Sequence, residues 1–343
     1  VIRLLFAVAV SGVVSVVGTR LLITFLRKHS IGQPIRLDGP QGHVSKAGTP
    51  TMGGVAIVVG ALAGYGISDL YNGIFTRTGL IVMAAIIGSG IVGFVDDWLK
   101  VSRERNLGLG KRTKILGLLV VAVGYAVLMV HLTDVRTELS FTRYDSLNID
   151  LGPWGWGLWA VLLILGTSNA VNLTDGLDSL AAGSSVFAFA AFVVIGFWAF
   201  RNQDIYGIPH ALDLAILAAA MVGASAGFMW WNAAPARIFM GDTGSLALGT
   251  GMAALALATN THLLLPIIGG LFVMETLSVI IQVFSFRVFG TRVFRMAPIH
   301  HHFELGGWPE TTVIIRLWIM TGFATAVALG LFYADFVSIG GAD

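Results

Sequence analysis

Gly79-Leu-Ile-Val-Met-Ala-Ala-Ile-Ile-Gly-Ser-Gly-Ile-Val-Gly-Phe-Val-Asp-Asp-Trp98 is an apolar run that stops abruptly on two adjacent carboxylates. At about 1.5 Å of rise per residue, a helix of this length crosses the roughly 30 Å hydrocarbon core of a bilayer. The pattern recurs along the chain. Apolar runs bounded by polar or Gly/Pro breaks fall at about 2–26, 53–70, 79–98, 114–132, 156–173, 180–200, 211–231, 244–259, 263–288 and 313–335. The run at 244–259 is short and, with 180–200, the least distinct. The first run has no clear small-residue cleavage site after it and reads as a span, not a signal peptide. No internal repeat or low-complexity linker divides residues 1–343, which read as a single domain.

Composition supports this class. Hydrophobic residues make up 56% of the chain and charged residues 12%, against about 25% charged in ordinary soluble domains. The mean hydropathy is +0.82, and 43 glycines suit helices that approach closely in lipid. A net charge of +2 gives no ground for nucleic-acid binding. With no cysteine there is neither disulfide nor thiolate site, so any metal must take oxygen or nitrogen ligands.

With ten spans the loops form two alternating sets. The set at 27–52, 99–114, 174–179, 232–243 and 289–312, with its flanking helix ends, holds Arg27, Lys28, Arg36, Lys46, Lys100, Arg103, Arg105, Lys111, Arg112, Lys114, Arg237, Arg287, Arg292, Arg295 and Arg316. The other set and the termini hold only Arg3, Arg77, Arg136, Arg143 and Arg201. The positive-inside rule makes the first set cytoplasmic and both termini extracytoplasmic. The expected fold is an all-α polytopic integral membrane protein of about ten transmembrane helices. Every unusual polar motif lies on its basic side, and charge beside hydrocarbon is expensive enough to mark function.

Asp96–Asp97 closes the third span. Adjacent carboxylates stay ionised together only beside a cation, so the pair reads as a Mg²⁺ or phosphate-handling element with Lys100, Lys111 and Lys114 in reach. A solvated helix end is the plainer reading, but a helix C-terminus is an unfavourable place for anions. Asn169-Ala-Val-Asn-Leu-Thr-Asp-Gly-Leu-Asp178 carries two amides and two carboxylates. If it stays helical, spacing of three brings Asn169, Asn172, Asp175 and Asp178 near one face. Capping accounts for Asp178 or Thr174, not for all four. In Asn232-Ala-Ala-Pro-Ala-Arg-Ile-Phe-Met-Gly-Asp-Thr-Gly-Ser245, Gly241 and Gly244 permit close approach of a ligand to a helix N-terminus that attracts anions. Asp242 is also a candidate N-cap, and the Lys of a Walker loop is absent.

Three further features are less specific. His300–His301–His302 cannot all address one ion in regular structure, and the spacing is wrong for a zinc helix. The segment reads as a loop offering one imidazole, with the others structural. Lys46-Ala-Gly-Thr-Pro-Thr-Met-Gly-Gly54 is either a phosphate loop or ordinary turn chemistry. Glu275, inside an apolar run with Gln282 further along, is either functional or an interhelix hydrogen bond.

Together these segments resemble the phospho-N-acetylmuramoyl-pentapeptide translocase family, within the polyprenyl-phosphate N-acetylhexosamine-1-phosphate transferase superfamily. The likeness runs in order from Ser45–Gly54 through Asp96–Asp97, Asn169–Asp178 and Asn232–Ser245 to Pro298–Glu304. The Asp-Asp and Asn-Leu-x-Asp-Gly-x-Asp elements are superfamily-wide, whereas the first and last segments are of the muramoyl type. Ser179 departs from the pattern, where Gly is expected, and the leader before the first span is short. The resemblance implies transfer of phospho-MurNAc-pentapeptide from UDP-MurNAc-pentapeptide to undecaprenyl phosphate, giving lipid I and UMP. It implies Mg²⁺, the cytoplasmic face of a bacterial inner membrane with its lipids, and a homodimer. It also implies that Asp242 ligates Mg²⁺ with Asp96 and Asp97 beside it, and that Asp96 is the usual candidate base. Lys46, Thr51, Lys100 and Lys114 would bind substrate. Asn169, Asn172, Asp175, Gly176, Asp178, Asn232 and Phe239 would form the nucleoside pocket, with Phe239 stacking on uracil. His300 would be the catalytic or phosphate-contacting imidazole, with His301 and His302 near substrate.

Two other readings compete. A transferase using UDP-GlcNAc shares the Asp motifs but differs in the two muramoyl-type segments. A transporter also uses polar groups at broken helices, but it predicts midplane sites and inverted repeats, neither of which is visible.

Overall fold

The computed structural model describes residues 1–29, 48–70, 75–102 and 108–340. Its helices follow the apolar runs: α1 (Ile2–Lys28), α2 (Gly54–Leu70), α3 (Arg77–Ser102), α4 (Lys111–Leu132), α5 (Gly152–Thr174), α6 (Leu180–Arg201), the short α7 (Gln203–Tyr206), α8 (Ala211–Asn232), α9 (Gly241–Ala258), the short α10 (Leu265–Ile268), α11 (Gly270–Phe289), α12 (Ile299–Glu304) and α13 (Glu310–Ser338). Between α4 and α5, β1 (Glu138–Leu139) and β2 (Ile149–Asp150) pair antiparallel, Glu138 opposite Asp150. Eight helices among the described residues are long and apolar enough to cross a membrane: α1, α3, α4, α5, α6, α8, α11 and α13. The chain is thus a mostly helical, multi-pass membrane protein.

The least distinct run, 244–259, turns out to be the hub. Every residue of α9 from Thr243 to Ala258 is buried, and the helix packs against α2, α3 and α5. A helix that is apolar or small on all sides belongs inside a bundle. Around it, α8 packs on α1 and α6, with Ser15 Oγ donating to the Ala224 carbonyl at 2.7 Å.

Three local expectations are corrected. The run at 263–288 is broken at Gly269 into α10 and α11. The histidine segment is helical, not a loop. The helical face proposed for Asn169–Asp178 ends early, because α5 stops at Thr174 and Ser179 adopts φ 62°.

The end of the bundle away from the acidic motifs is stapled. Tyr65 Oη donates to buried Asp213 Oδ2 at 3.0 Å, which also accepts from Thr76. His262, buried and with its pKa pushed down to about 4, accepts from the Ser140 N–H at 2.5 Å beside the small hairpin. Asp335, near the end of α13, accepts from Thr142 Oγ1 at 2.7 Å and Arg143 Nε at 3.0 Å. These bonds brace the scaffold that positions the opposite end.

Candidate active site

The site begins where α3 ends against the start of α9. Asp97 Oδ1 accepts from the Asp242 N–H, and Oδ2 accepts from the Thr243 N–H, each at 3.0 Å. Thr243 Oγ1 donates to the same Oδ2 at 2.7 Å. A carboxylate within the last part of α3, which runs on to Ser102, therefore caps the N-terminus of a neighbouring helix, where anions are stabilised. Gly241 is needed at this junction. Its φ is +74°, and a Cβ would fall onto the Asp97 carboxylate.

Asp242 then projects from the first turn of α9 as the most accessible of the three acids, its side chain 13% exposed against 3% or less for Asp96 and Asp97. It lies inside the helix and is not its N-cap, since Met240 holds that place. Asp242 Oδ2 accepts from Lys100 Nζ at 2.9 Å and Lys114 Nζ at 2.6 Å. Oδ1 accepts from Asn172 Nδ2 at 2.6 Å, and that amide also donates to Ser245 Oγ at 2.8 Å. Asp96 Oδ1 accepts from the Leu109 N–H at 2.8 Å, and its Oδ2 lies 2.6 Å from Lys100 Nζ. Asp97 Oδ1 is 3.7 Å from that ammonium.

Ligand oxygens of Asp96, Asp97 and Asp242 lie within 4.8 Å of one another. Three carboxylates against two lysines leave a net negative, all-oxygen cluster with one acid open to solvent. This donor set fits a hard divalent cation such as Mg²⁺.

Behind the triad, Asp175 follows the last turn of α5 and is half-buried. Burial pushes its pKa up to about 8, helped by the charges of Asp242, Asp97 and Asp178 and opposed by Lys100. The remaining polar groups of this segment join loops together. Asp178 Oδ2 accepts from the Ala236 N–H at 2.9 Å, and Asn232 bridges the Ser179 N–H and the Ile238 carbonyl, each at 2.8 Å. Asn169 is exposed and donates to Leu165 of its own helix, apart from the cluster.

The Gly/Thr/Pro segment is zipped to the loop before α9. The Phe239 N–H donates to Pro50 O at 2.8 Å, Gly53 N–H to Phe239 O at 2.9 Å, and Gly54 N–H to Met240 O at 2.8 Å. Thr51 is buried within this strip and Phe239 half-buried beside it. Lys46 lies outside the described residues.

The three histidines have three different partners. His300 is fully buried, its Nδ1 3.1 Å from Glu275 Oε2. His301 Nδ1 is 2.7 Å from Glu304 Oε2, and His302 Nδ1 accepts from the Arg295 N–H at 3.1 Å. His300 lies against the Asp175–Asp178 turn: a Cβ on Gly176 would strike its Nε2. Gln282 is structural, accepting from the Val293 and Phe294 N–H groups at 3.1 and 2.9 Å.

Several working residues were not singled out from sequence. Thr243 and Ser245 orient Asp97 and Asn172, and Glu310 Oε1 accepts from the Asp178 N–H at 3.1 Å. Thr243 and Ser245 sit inside a quoted motif, and their spacing from Asp242 was the available signal. Glu310 carries no local signal, because its partner is far away in sequence.

Comparison with known proteins gives the family of the chain. The Glycosyl transferase family 4 profile matches residues 78–260, more than half of the chain. The phospho-N-acetylmuramoyl-pentapeptide-transferase signature 1 matches residues 46–58. The chain is 52% identical over 351 residues to a protein of Frankia alni, covering 98% of each. It is 48% identical over 358 residues to one of Rhodococcus jostii, covering 99% of each, and 47% over 354 residues to one of Streptomyces griseus, covering 98% of this chain and 99% of the relative. All three relatives carry the name phospho-N-acetylmuramoyl-pentapeptide-transferase.

Proposed function

The chain belongs to the phospho-N-acetylmuramoyl-pentapeptide-transferase family, and from that premise we propose that it transfers phospho-MurNAc-pentapeptide from UDP-MurNAc-pentapeptide to undecaprenyl phosphate. The products are lipid I and UMP. The observation that carries the chemistry is the meeting of Asp96, Asp97 and Asp242 under Lys100 and Lys114.

A lipid phosphate oxygen attacks the sugar-linked phosphorus, and the bond from that phosphorus to the bridging oxygen breaks, releasing UMP. Such a reaction needs positioning and charge compensation more than covalent help from the protein. Lys100 and Lys114 exchange part of their contact with Asp242 for phosphate oxygens as substrate enters. Asn172, which also donates to Ser245, holds Asp242 in place, while Asp97 fixes the start of α9 by accepting from the Asp242 and Thr243 N–H groups. Asp96 Oδ2, beside Lys100, is the candidate acceptor for a lipid phosphate proton, although a phosphate with a near-neutral second pKa needs little such help. Magnesium held by Asp242, with Asp96 and Asp97 nearby, would neutralise the diphosphate and favour in-line geometry. Asp175, Gly176, Asp178, Asn232 and Phe239 surround the place for the nucleoside, with Phe239 on uracil. Thr51, in the adjoining strip, His301 and Lys46 complete the proposed substrate-binding set.

The same reading places ten spans in a bacterial inner membrane, with both termini outside, the site on the cytoplasmic face, residues 1–343 as one transferase domain and two copies forming a dimer. The basic residues around the acidic motifs support this orientation. The test is UMP release by detergent-solubilised protein given undecaprenyl phosphate, Mg²⁺ and either UDP-MurNAc-pentapeptide or UDP-GlcNAc. Release with the muramoyl nucleotide alone supports the reading. Release with UDP-GlcNAc alone keeps the chemistry and overturns the substrate.

A further inference from the structure

Glu275 is a fully buried carboxylate within the apolar α11, and the transfer chemistry above does not use it. Its Oε2 is 3.1 Å from His300 Nδ1 and 3.5 Å from the His300 backbone N–H, so one carboxylate grips both the ring and the start of α12. His300 is equally buried, and neither ring nitrogen has a hydrogen-bond partner among the described residues, Nδ1 standing at ion-pair distance from Glu275. The Nε2 of His300 faces Gly176, where a Cβ would collide with it. Gly176 lies in the Asp175–Asp178 turn, whose far end is fixed by the Asp178–Ala236 and Ser179–Asn232 bonds. The contacts form a chain from the membrane-embedded carboxylate, through the imidazole, to the turn carrying Asp175.

A buried carboxylate and imidazole are costly unless they serve each other. This pair also spans two elements, α11 and α12, that are otherwise joined by a long loop. We propose that Glu275 is a positioning residue for the transfer reaction: it seats His300 so that the imidazole sets the Asp175–Asp178 turn that receives the nucleotide sugar. This inference rests on the transferase reading above. It gives His300 a supporting role toward the nucleotide side of the site, and it predicts that the lipid substrate is indifferent to Glu275.

Steady-state UMP release by full-length Glu275→Leu and Glu275→Gln, with each substrate varied in turn, tests this. The expected result for Glu275→Leu is a KM for UDP-MurNAc-pentapeptide raised about tenfold, with the KM for undecaprenyl phosphate within about twofold of wild type. Glu275→Gln, which keeps the size of the side chain and an Oε1 that can accept from the His300 backbone N–H, should recover most of that loss. Combined with Gly176→Ala, which displaces the same ring, Glu275→Leu should cost little more than either change alone. If Glu275→Leu does not accumulate, Glu275→Gln carries the test with a smaller, roughly threefold, rise in the nucleotide KM alone. Equal rises in both KM values, additive effects with Gly176→Ala, or unchanged kinetics in a folded variant would each overturn the proposal. Absence of UMP release by wild type with either nucleotide sugar would instead overturn the transferase reading.

Discussion

Lys100 Nζ and Asp242 Oδ2 stand 2.9 Å apart across 142 positions of sequence, joining the end of α3 to the start of α9. The same ammonium lies 2.6 Å from Asp96 Oδ2 and 3.7 Å from Asp97 Oδ1, so one cation serves all three acids. Without it, three close carboxylates repel one another.

Lys100→Met should therefore destabilise the metal-free protein and make it more responsive to magnesium. The Tm in EDTA is expected to fall, and added Mg²⁺ should raise it by more than in wild type. Turnover should drop by about 10²-fold, because the proposed reaction uses this charge to compensate the transferring phosphoryl group. A Tm response to Mg²⁺ no larger than wild type would argue against a shared cation site.

Asp175 supplies a pH signature. Its pKa is raised to about 8 from an ordinary 3.8, so between those values the folded chain holds a proton that the unfolded chain has released. Stability should therefore fall as pH rises through that window, by at most about 1.4 kcal/mol per pH unit from this group. Asp175→Asn should flatten the dependence. Thermal melts in EDTA from pH 5 to 9 check this, and parallel curves for the two proteins would contradict the assignment.

Ser179 occupies a left-handed position at φ 62°, just before α6. A side chain there costs roughly 1–2 kcal/mol that glycine avoids. Ser179→Gly is expected to raise Tm by about 2 °C without changing turnover, since the N–H to Asn232 Oδ1 bond at 2.8 Å is a backbone donation and survives. A lowered Tm would mean that the serine hydroxyl contributes more than the strain costs.

The span pattern was legible because hydrocarbon length and apolar composition are local properties, and the acidic motifs were legible because charge beside hydrocarbon is rare. The helix break after Thr174 was hidden, because Asn169–Asp178 keeps a helical spacing while Asp178 bonds to the α8–α9 loop and Ser179 to the last residue of α8. The central place of α9 was hidden too. Its glycines and alanines weaken it as a membrane run and suit it to close packing. Asp97 was the most misleading residue locally: it reads as the end of one helix, yet α3 continues to Ser102 and the Asp97 carboxylate caps another helix. His300 was legible as a functional imidazole, while its burial against Glu275, distant in sequence, was not.

The most direct test of the account compares UMP release by wild type and Asp242→Asn, with UDP-MurNAc-pentapeptide and undecaprenyl phosphate, in Mg²⁺ and after EDTA. Asp242 is the accessible acid of the triad and the acceptor for Lys100, Lys114 and Asn172. The account predicts release that EDTA abolishes in wild type, and a loss of at least about 10³-fold in Asp242→Asn while the variant still folds. Near-normal turnover in a folded Asp242→Asn protein would contradict it.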